Sequence, residues 1–389
     1  MLVAFGGQNY LSFKEGFEVS AEYTSSCPTA ISGGETYSPV LCLIGANASG
    51  KTNVLRALTF ITDFCLNSFN YKPEIPFMIA PFGSQKDPSY FFVEFMVHGL
   101  HYNYEVERSG MEVISEKLER KAARRVPLFS RTRNTLDYCV GEMKALTKIK
   151  MRKNASLIST SHQYGLVELE EVYTFFNSVK SNIGVIDGGL ATGLRPEDIF
   201  EISKYYRESK ETFDFVKDKL AQADTGISDI NIIPLHAMGG TEMYYPEFVH
   251  TSEAGSIRVP FLNESTGTRA LYSQLSLFKQ VLDEGGVLIL DEFDNNLHPD
   301  LHTWLINLFL DPQNNPNKAQ IIFSSHNTAL MDRLSKYRVF LVNKVDNESF
   351  LYRLDELPGG VVRNDRSIEN VYKTGKLGGV PRLGKLRKV

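Results

Sequence analysis

The stretch that decides the fold is "SPVLCLIGANASGKTNVLRAL", residues 38 to 58. It opens with an apolar run that ends at a glycine, as a strand buried inside a parallel sheet does. The eight residues Gly45 to Thr52 fit the pattern GxxxxGK[ST], and apolar residues at helical spacing follow them. A strand, a glycine-rich turn and a helix in this order predict a phosphate-binding loop.

Each part of this loop has an expected role. Gly45 and Gly50 let the backbone curl so that several N–H groups point into one cavity, where the helix N-terminus adds partial positive charge. We expect Lys51 to reach the β- and γ-phosphates, as a catalytic residue, and the Thr52 hydroxyl to coordinate Mg²⁺. The nucleotide-binding residues predicted here are Gly45, Asn47, Ser49, Gly50, Lys51, Thr52 and Asn53.

A second buried strand ends in two acidic residues. In "VLILDEFD", four apolar residues precede Asp291 and Glu292. Asp291 at the strand tip would hold Mg²⁺, directly or through water, and Glu292 would polarise the attacking water as general base. An ordinary acidic turn is the alternative when this stretch is taken alone.

The residues that follow raise a different possibility. His298 and His302 are four apart, the spacing of two metal ligands on one face of a helix. A zinc helix of that kind carries a glutamate beside its first histidine, and Pro299 occupies that position instead. The sequence therefore favours Asp291 and Glu292, rather than these histidines, as the residues that carry the chemistry.

Two further segments complete the predicted site. "IIFSSHN" is an apolar strand that ends at His326, which we expect to contact the γ-phosphate and orient the attacking water. In "ESTGTRA", Ser265, Gly267 and Thr268 precede a helix and form a second surface for an anion. This surface would cap the γ-phosphate held by another subunit. The alternatives are a loop histidine and a simple helix cap.

One motif points to guanine instead of adenine. Asn343, Lys344 and Asp346 in "VNKVDNES" spell the NKxD pattern of a guanine reader, and they follow a strand as such a reader would. The histidine switch and the second anion surface are features that GTPases lack. We therefore favour ATP.

Composition narrows the class of protein. The 389 residues carry a net charge of -4, so binding to nucleic acid would need a local basic patch. Candidate patches are Lys117–Arg133, Lys144–Lys153 and the tail "RLGKLRKV". No apolar run is long enough to span a bilayer and the first residues do not resemble a signal peptide, so we expect a cytoplasmic protein that does not contact a membrane.

The pattern along the chain predicts an interrupted α/β core. Residues 1–115 and 251–389 carry the strands and helices of the core, with the phosphate loop in the first part and the other motifs in the second. Residues 116–250 look polar and helical, most clearly in "VELEEVYTFFNSV" and "PEDIFEISKYYRESKETFDFVKDKLAQAD". We expect this middle segment to form an inserted, mainly helical lobe.

Together these motifs resemble the non-transporter branch of the ABC-type ATPase superfamily, which holds SMC, RecF and OLD-like proteins and bacterial ATPases of the AAA family. The resemblance covers about residues 1–115 and 250–385. The segments that carry it are "FGGQNYLSFKE", "GANASGKTN", "ESTGTRALYSQL", "LILDEFDNNLHP" and "SSHN". It implies an ABC-type P-loop core, a mixed sheet with flanking helices, that binds ATP and Mg²⁺.

The resemblance also implies a way of working. Two subunits would sandwich two ATP molecules, each held by the phosphate loop of one subunit and the Ser265–Thr268 segment of the other. The C-terminal "SIENVYKTGKLGGVPRL" is similar to the tail of RloA- and AbiL-type ATPases of phage-defence operons. This tail implies a sensor that controls a separately encoded toxin or nuclease. The alternative is a RecF-like repair ATPase that clamps DNA directly.

Two departures from the family pattern bear on these expectations. The second anion surface has S-x-G-T where transporters have LSGGQ, which argues against a transporter subunit. Gln85 is only a weak candidate for the glutamine that couples the lobes. We also expect no nuclease domain of the OLD type, because too few residues follow His326.

Overall fold

The computed structural model describes residues 1–72, 80–83, 86–110, 112–121, 124–184, 198–223, 226–236, 242–253, 255–295, 297–358 and 360–380. Its strands are β1 (Leu2–Gln8), β2 (Phe17–Ser20), β3 (Val40–Ile44), β4 (Ser89–Val97), β5 (Leu100–Ser109), β6 (Glu112–Lys121), β7 (Arg125–Thr132), β8 (Thr135–Cys139), β9 (Val179–Ser181), β10 (Ile227–His236), β11 (Glu242–Ser252), β12 (Gly255–Pro260), β13 (Val287–Leu290), β14 (Gln320–Ser325), β15 (Val339–Val345) and β16 (Glu348–Arg353).

The α-helices lie between these strands. They are α1 (Thr29–Ser32), α2 (Lys51–Asn67), α3 (Leu157–Gln163), α4 (Glu170–Asn177), α5 (Ile199–Glu208), α6 (Lys210–Gln222), α7 (Thr266–Glu284), α8 (Pro299–Leu310), α9 (Leu330–Leu334) and α10 (Ile368–Lys373). None of the helices in the described ranges combines the length and the apolar character needed to cross a bilayer.

A six-stranded sheet at the centre of the molecule carries the predicted motifs. Its order is β16-β15-β3-β14-β13-β9, and every pair is parallel except β15–β16. Leu41 and Leu43 of β3 pack into one hydrophobic core, whereas Val40, Cys42 and Ile44 pack into a second core on the opposite face. Burial on both faces explains why β3, β13 and β14 are continuous apolar runs in the sequence.

A seven-stranded antiparallel sheet lies across α2 from the central sheet, in the order β2-β1-β4-β5-β6-β7-β8. Within it, β4 and β5 form a hairpin around His98 and Gly99, both of which have positive φ. Two positive-φ residues give the turn whose twist matches that of the flanking strands. With its buried side chains, α2 fills the space between the two sheets.

The opposite face of the central sheet is covered by helices and by a smaller sheet. Helices α5 to α9 share the second hydrophobic core with β11, which is the central strand of the antiparallel sheet β10-β11-β12. The predicted α/β class, with a mixed sheet and flanking helices, is therefore confirmed.

The middle segment differs from the mainly helical lobe predicted for residues 116–250. The predicted helices are present as α4 and as the pair α5 and α6, but strands accompany them. The segment supplies β7 and β8 to the seven-stranded sheet, β9 to the central sheet and β10 to the smaller sheet. The boundary predicted between residues 115 and 116 lies inside β6. Strand pairing therefore makes the middle segment part of the core.

Candidate functional site

The phosphate loop lies at the carboxyl edge of the central sheet. It leaves β3 at Gly45, passes through Ala48 and Gly50 with φ of 59° and 113°, and enters α2 at Lys51. Lys51 Nζ donates to the carbonyl oxygens of Gly45 (3.0 Å) and Ala46 (3.1 Å). The loop therefore curls around its own lysine, with the helix N-terminus directed toward the same space.

Gly45 is required by the strand beside it. A Cβ at this position would lie 2.2 Å from the carbonyl oxygen of Val342 in β15. Backbone cannot yield as the end of a flexible side chain can, so a larger residue would push the loop away from β15. The glycine of the motif therefore serves packing as well as curvature.

Three of the predicted binding residues support the loop from behind. Ser349 Oγ donates to the carbonyl oxygen of Ser49 (2.6 Å) and lies 2.8 Å from Ser12 Oγ, and Asn53 Nδ2 donates to the same Ser12 oxygen (2.8 Å). A Cβ on Gly50 would meet Ser349 Oγ at 2.7 Å. In this arrangement Ser49, Gly50 and Asn53 fix the loop against β16 and the segment after β1.

The acidic strand end is held by hydrogen bonds from two neighbouring strands. Ser324 Oγ donates to Asp291 Oδ1 (2.5 Å) and accepts from the Glu292 N–H (2.8 Å). Asn182, just after β9, accepts from the Asp291 N–H (2.8 Å) and donates to its carbonyl oxygen (3.1 Å). These bonds fix the backbone of Asp291 and one of its two carboxylate oxygens, Oδ1.

Glu292 has a left-handed backbone conformation, with φ of 49°. Such a conformation is uncommon for a residue other than glycine and persists where the surroundings hold it. Here the N–H of Phe293 donates to the Ser324 carbonyl oxygen (3.0 Å), next to the bond from Glu292 to Ser324 Oγ. Asn295 Nδ2 donates to Glu292 Oε2 (3.3 Å). The carboxylate is exposed and directed by this turn.

Three consecutive residues after β14 are each tied to a different element. The His326 N–H donates to Asp294 Oδ2 (3.0 Å), and Asn327 Nδ2 lies 3.3 Å from His302 Nδ1 in α8. Thr328 Oγ1 donates to Glu369 Oε1 in α10 (2.6 Å). We call residues 326–328 the switch loop. Its position depends on three distant parts of the chain.

The phosphate loop, the acidic strand end and the switch loop line one cavity of about 1030 Å³. It brings together seven of the predicted residues: Gly45, Asn47, Lys51, Thr52, Asp291, Glu292 and His326. It also contains residues that sequence reasoning missed: Asp294, Asn295, Thr328 and Tyr372. Asp294 and Asn295 lie close enough to the acidic pair to have been suspected, whereas Tyr372 lies 46 positions beyond His326 and gave no signal.

Charge in this cavity is dominated by carboxylates. Burial lowers the pKa of Lys51, and the carboxylates of Asp291, Asp294 and Glu292 oppose that shift. Asp294 Oδ1 is buried, and no donor among the described residues lies within hydrogen-bond distance of it. Carboxylate and hydroxyl oxygens are the ligands that Mg²⁺ prefers. Asp291 and Thr52 with this unsatisfied oxygen nearby therefore fit a hard divalent cation.

The second anion surface lies elsewhere in the chain. Ser265 caps α7: its Oγ accepts from the Thr268 N–H (3.1 Å) and lies 2.9 Å from Thr268 Oγ1. None of Ser265, Gly267 and Thr268 is among the described residues that line the cavity. A single chain thus does not bring this segment to the phosphate loop. Gln85, the candidate coupling residue, lies outside the described residues.

The two alternative motifs have other partners. His298 caps α8 and accepts from the Asp300 N–H (3.3 Å), while His302 is buried and faces Asn327, so the two rings do not converge on a common point. Asn343 and Lys344 pair with β16, and Asp346 belongs to the tight turn between β15 and β16. The NKxD residues therefore build a hairpin.

Comparison with known proteins places the chain in a family. The family described as "AAA domain, putative AbiEii toxin, Type IV TA system" matches residues 40–332. Among solved structures, the SMC head domain from Thermotoga maritima has 13% sequence identity and a TM-score of 0.43, covering 90% of this chain and 98% of that chain. The SmcHead bound to the C-winged helix domain of ScpA has 12% identity and a TM-score of 0.46, covering 96% of this chain and 99% of that chain.

A comparison with curated proteins found no match. The family match extends over well more than half of the chain and spans the phosphate loop, the second anion surface, the acidic strand end and the switch histidine. The chain belongs to this family of AAA domains.

Proposed function

We propose that this protein is an ABC-type ATPase that binds ATP with Mg²⁺, dimerises around it and hydrolyses it to ADP and phosphate. The observation that carries the proposal is the convergence of Lys51, Thr52, Asp291, Glu292 and His326 on one cavity. These residues come from three strand ends of one parallel sheet. Membership in the AAA family supports nucleotide use.

The expected division of labour follows from the geometry. The loop N–H groups and Lys51 bind the phosphates, and Thr52 with Asp291 would hold Mg²⁺, which supplies charge neutralisation at the phosphates. Glu292, exposed at the turn after β13, is placed to accept a proton from the attacking water. His326 would position that water at the γ-phosphate. Ser324 holds the Asp291 carboxylate and the backbone of Glu292 through the same hydroxyl.

Dimerisation would complete the site. The Ser265–Thr268 segment lies apart from the cavity of its own chain, and Ser265 is exposed at the start of α7. A second copy of the chain could bring the same segment to the γ-phosphate, so that ATP joins two subunits and hydrolysis releases them. A homodimer, or a higher homo-oligomer built from it, is the assembly that we propose.

For the biological role we propose the sensor of a phage-defence system that controls a separately encoded toxin or nuclease in the cytoplasm. The description of the matched family names an AbiEii toxin and a type IV toxin–antitoxin system, which supports a defence role. The C-terminal likeness to RloA- and AbiL-type ATPases points the same way. ATP-driven dimerisation would supply the switch between holding and releasing the partner.

Ion pairing within the basic patches argues against the DNA-repair alternative. Many of their side chains are paired with nearby glutamates, and such pairing cancels the positive field that attracts phosphates. The pairs are Lys117–Glu119, Arg120–Glu142, Arg125–Glu94, Arg131–Glu116, Arg133–Glu112 and Lys153–Glu112. The basic tail "RLGKLRKV" lies outside the described residues.

The decisive experiment combines Glu292→Gln with analytical ultracentrifugation. The amide keeps the size of the carboxylate but cannot accept the proton, so the variant should bind ATP, hydrolyse it slowly and accumulate as a dimer or larger species. The unchanged protein with ADP is the control. An ATP-independent mass, together with a monomeric protein, would refute dimerisation around ATP.

Two further measurements separate the proposed roles. A pull-down of the Glu292→Gln protein from its host with ATP should capture a specific partner protein. ATPase rates with and without duplex DNA should be equal if the protein is a defence sensor. Strong stimulation by DNA that disappears steeply with added salt would instead establish the repair role.

A further inference from the structure

The C-terminal helix α10 lies beside the nucleotide cavity, although no expected motif of the site falls within it. Its Tyr372 lines the cavity together with Thr328. The Tyr372 hydroxyl donates to the Gly379 carbonyl oxygen (2.7 Å), and only 5% of the residue is exposed. The segment from α10 to Gly379 therefore forms a packed wall of the cavity.

The same helix is bonded to the switch loop. Glu369 Oε1 accepts the hydroxyl proton of Thr328 (2.6 Å), and Thr328 is two residues beyond His326. This hydrogen bond lowers the pKa of Glu369, as does the bond from Lys373, the larger contribution. The carboxylate is thus the charged acceptor of a short bond, which is stronger than a bond between neutral groups.

A second contact anchors α10 to the element that follows the switch loop. Asp332 in α9 accepts from Ser367 Oγ (2.6 Å) and from the N–H of Ile368, the first residue of α10. Helix α9 begins only four residues after His326. The switch loop and α9 are therefore both joined to the first turn of α10, the switch loop through Glu369 and α9 through Asp332.

From this arrangement we propose that Glu369 is a positioning residue for ATP hydrolysis, which acts by holding the switch loop through Thr328 so that His326 faces the γ-phosphate. The proposal rests on the ATPase activity proposed above. It makes the C-terminal segment a working part of the nucleotide site. A movement of α10 would change the rate of hydrolysis without touching the phosphate loop.

The test uses paired substitutions at both ends of the bond, in the full chain. Thr328→Val keeps the shape of the side chain and removes the hydroxyl, whereas Thr328→Ser keeps the hydroxyl. We expect kcat for ATP to fall about tenfold in Thr328→Val with KM nearly unchanged, and Thr328→Ser to retain most of the activity. Glu369→Ala should lower kcat to a similar degree, and Glu369→Gln, which still offers an acceptor oxygen, should restore much of it.

Lys373→Ala is the matched control. It removes the ion pair of Lys373 with Glu369 Oε1 but leaves the bond from Thr328 to the same oxygen in place, so kcat should stay close to that of the unchanged protein. The melting temperature of each variant shows whether it folds. Equal kcat values for Thr328→Val and Thr328→Ser would overturn the proposal, as would a loss confined to KM. If the unchanged protein does not hydrolyse ATP, the proposed function fails instead.

Discussion

The phosphate loop and the switch loop both line the cavity and are held in different ways. Lys51 bonds to the carbonyl oxygens of its own loop, within six positions along the chain. The switch loop is held by Asp294, His302 and Glu369, which come from three separate elements. The phosphate loop is held by local bonds, so it forms as soon as β3 and α2 form. A junction of distant parts can be shifted by moving any one of them.

The largest expected effect tests the phosphate loop. Lys51 is the only lysine or arginine among the described residues that line the cavity. Lys51→Ala should therefore weaken ATP binding by about a hundredfold or more, because the phosphates lose a direct charge-assisted contact. A titration with a fluorescent ATP analogue measures the loss.

Lys344→Ala is the control for this change. Lys344 is an exposed lysine of the β15–β16 hairpin and belongs to the NKxD motif, yet it does not line the cavity. ATP affinity should be unaffected. Retained ATP binding in Lys51→Ala would contradict the phosphate-loop assignment, and tighter binding of GTP than of ATP by the unchanged protein would revive the guanine interpretation.

An intermediate effect is expected at Ser324 of β14, which contacts the acidic strand end. Ser324→Ala removes the hydroxyl that donates to the Asp291 carboxylate and accepts from the Glu292 N–H, so the Asp291 side chain and the Glu292 backbone both gain freedom. We expect kcat to fall about tenfold and the Mg²⁺ concentration for half-maximal activity to rise, with ATP affinity less affected. Steady-state ATPase assays over a Mg²⁺ series measure both. Unchanged Mg²⁺ dependence would show that Ser324 does not orient the metal ligand.

The smallest effect concerns the switch loop and pH. Burial lowers the pKa of His302 below its ordinary value of 6.5, so the folded protein favours the neutral ring that can accept from Asn327. As pH falls through 6.5 the unfolded chain takes up a proton that the folded chain does not. The free energy of unfolding should therefore decrease, until the pH passes below the lowered pKa.

Denaturant titrations one unit above and one unit below that ordinary value measure this dependence. His302→Asn has no titrating group at the position and serves as the comparison. It should lose less stability than the unchanged protein when the pH is lowered. An equal loss of stability in the two proteins would show that the titration of His302 does not contribute to this pH dependence.

How much of this could be predicted depends on the range of the interactions. The phosphate loop and the strand that ends at Asp291 follow from short stretches, because apolar runs and glycines specify them locally. Most of the strand β6, "EVISEKLERK", falls in the segment 116–250, where the polar composition predicts helices. Its pairing with β5 and β7 overrides that preference.

The supporting residues of the site were beyond reach for the same reason. Asn182 bonds to Asp291 across 109 positions, and Glu369 bonds to Thr328 across 41. Asn182 belongs to no motif, and Glu369 lies in the C-terminal segment "SIENVYKTGKLGGVPRL", whose likeness gave no role to this residue. Only the folded chain brings them into contact with the site, so the sequence alone does not predict their contribution.

The short strand β9 has a consequence for anyone who would trim this protein to a minimal core. Val179–Ser181 is the last strand of the central sheet and covers the outer edge of β13. Removing the middle segment would uncover a row of unpaired backbone groups, which invites pairing with another chain and aggregation. The same cut would free Asp291 from Asn182. The middle segment therefore also supports Asp291, the residue proposed to hold Mg²⁺.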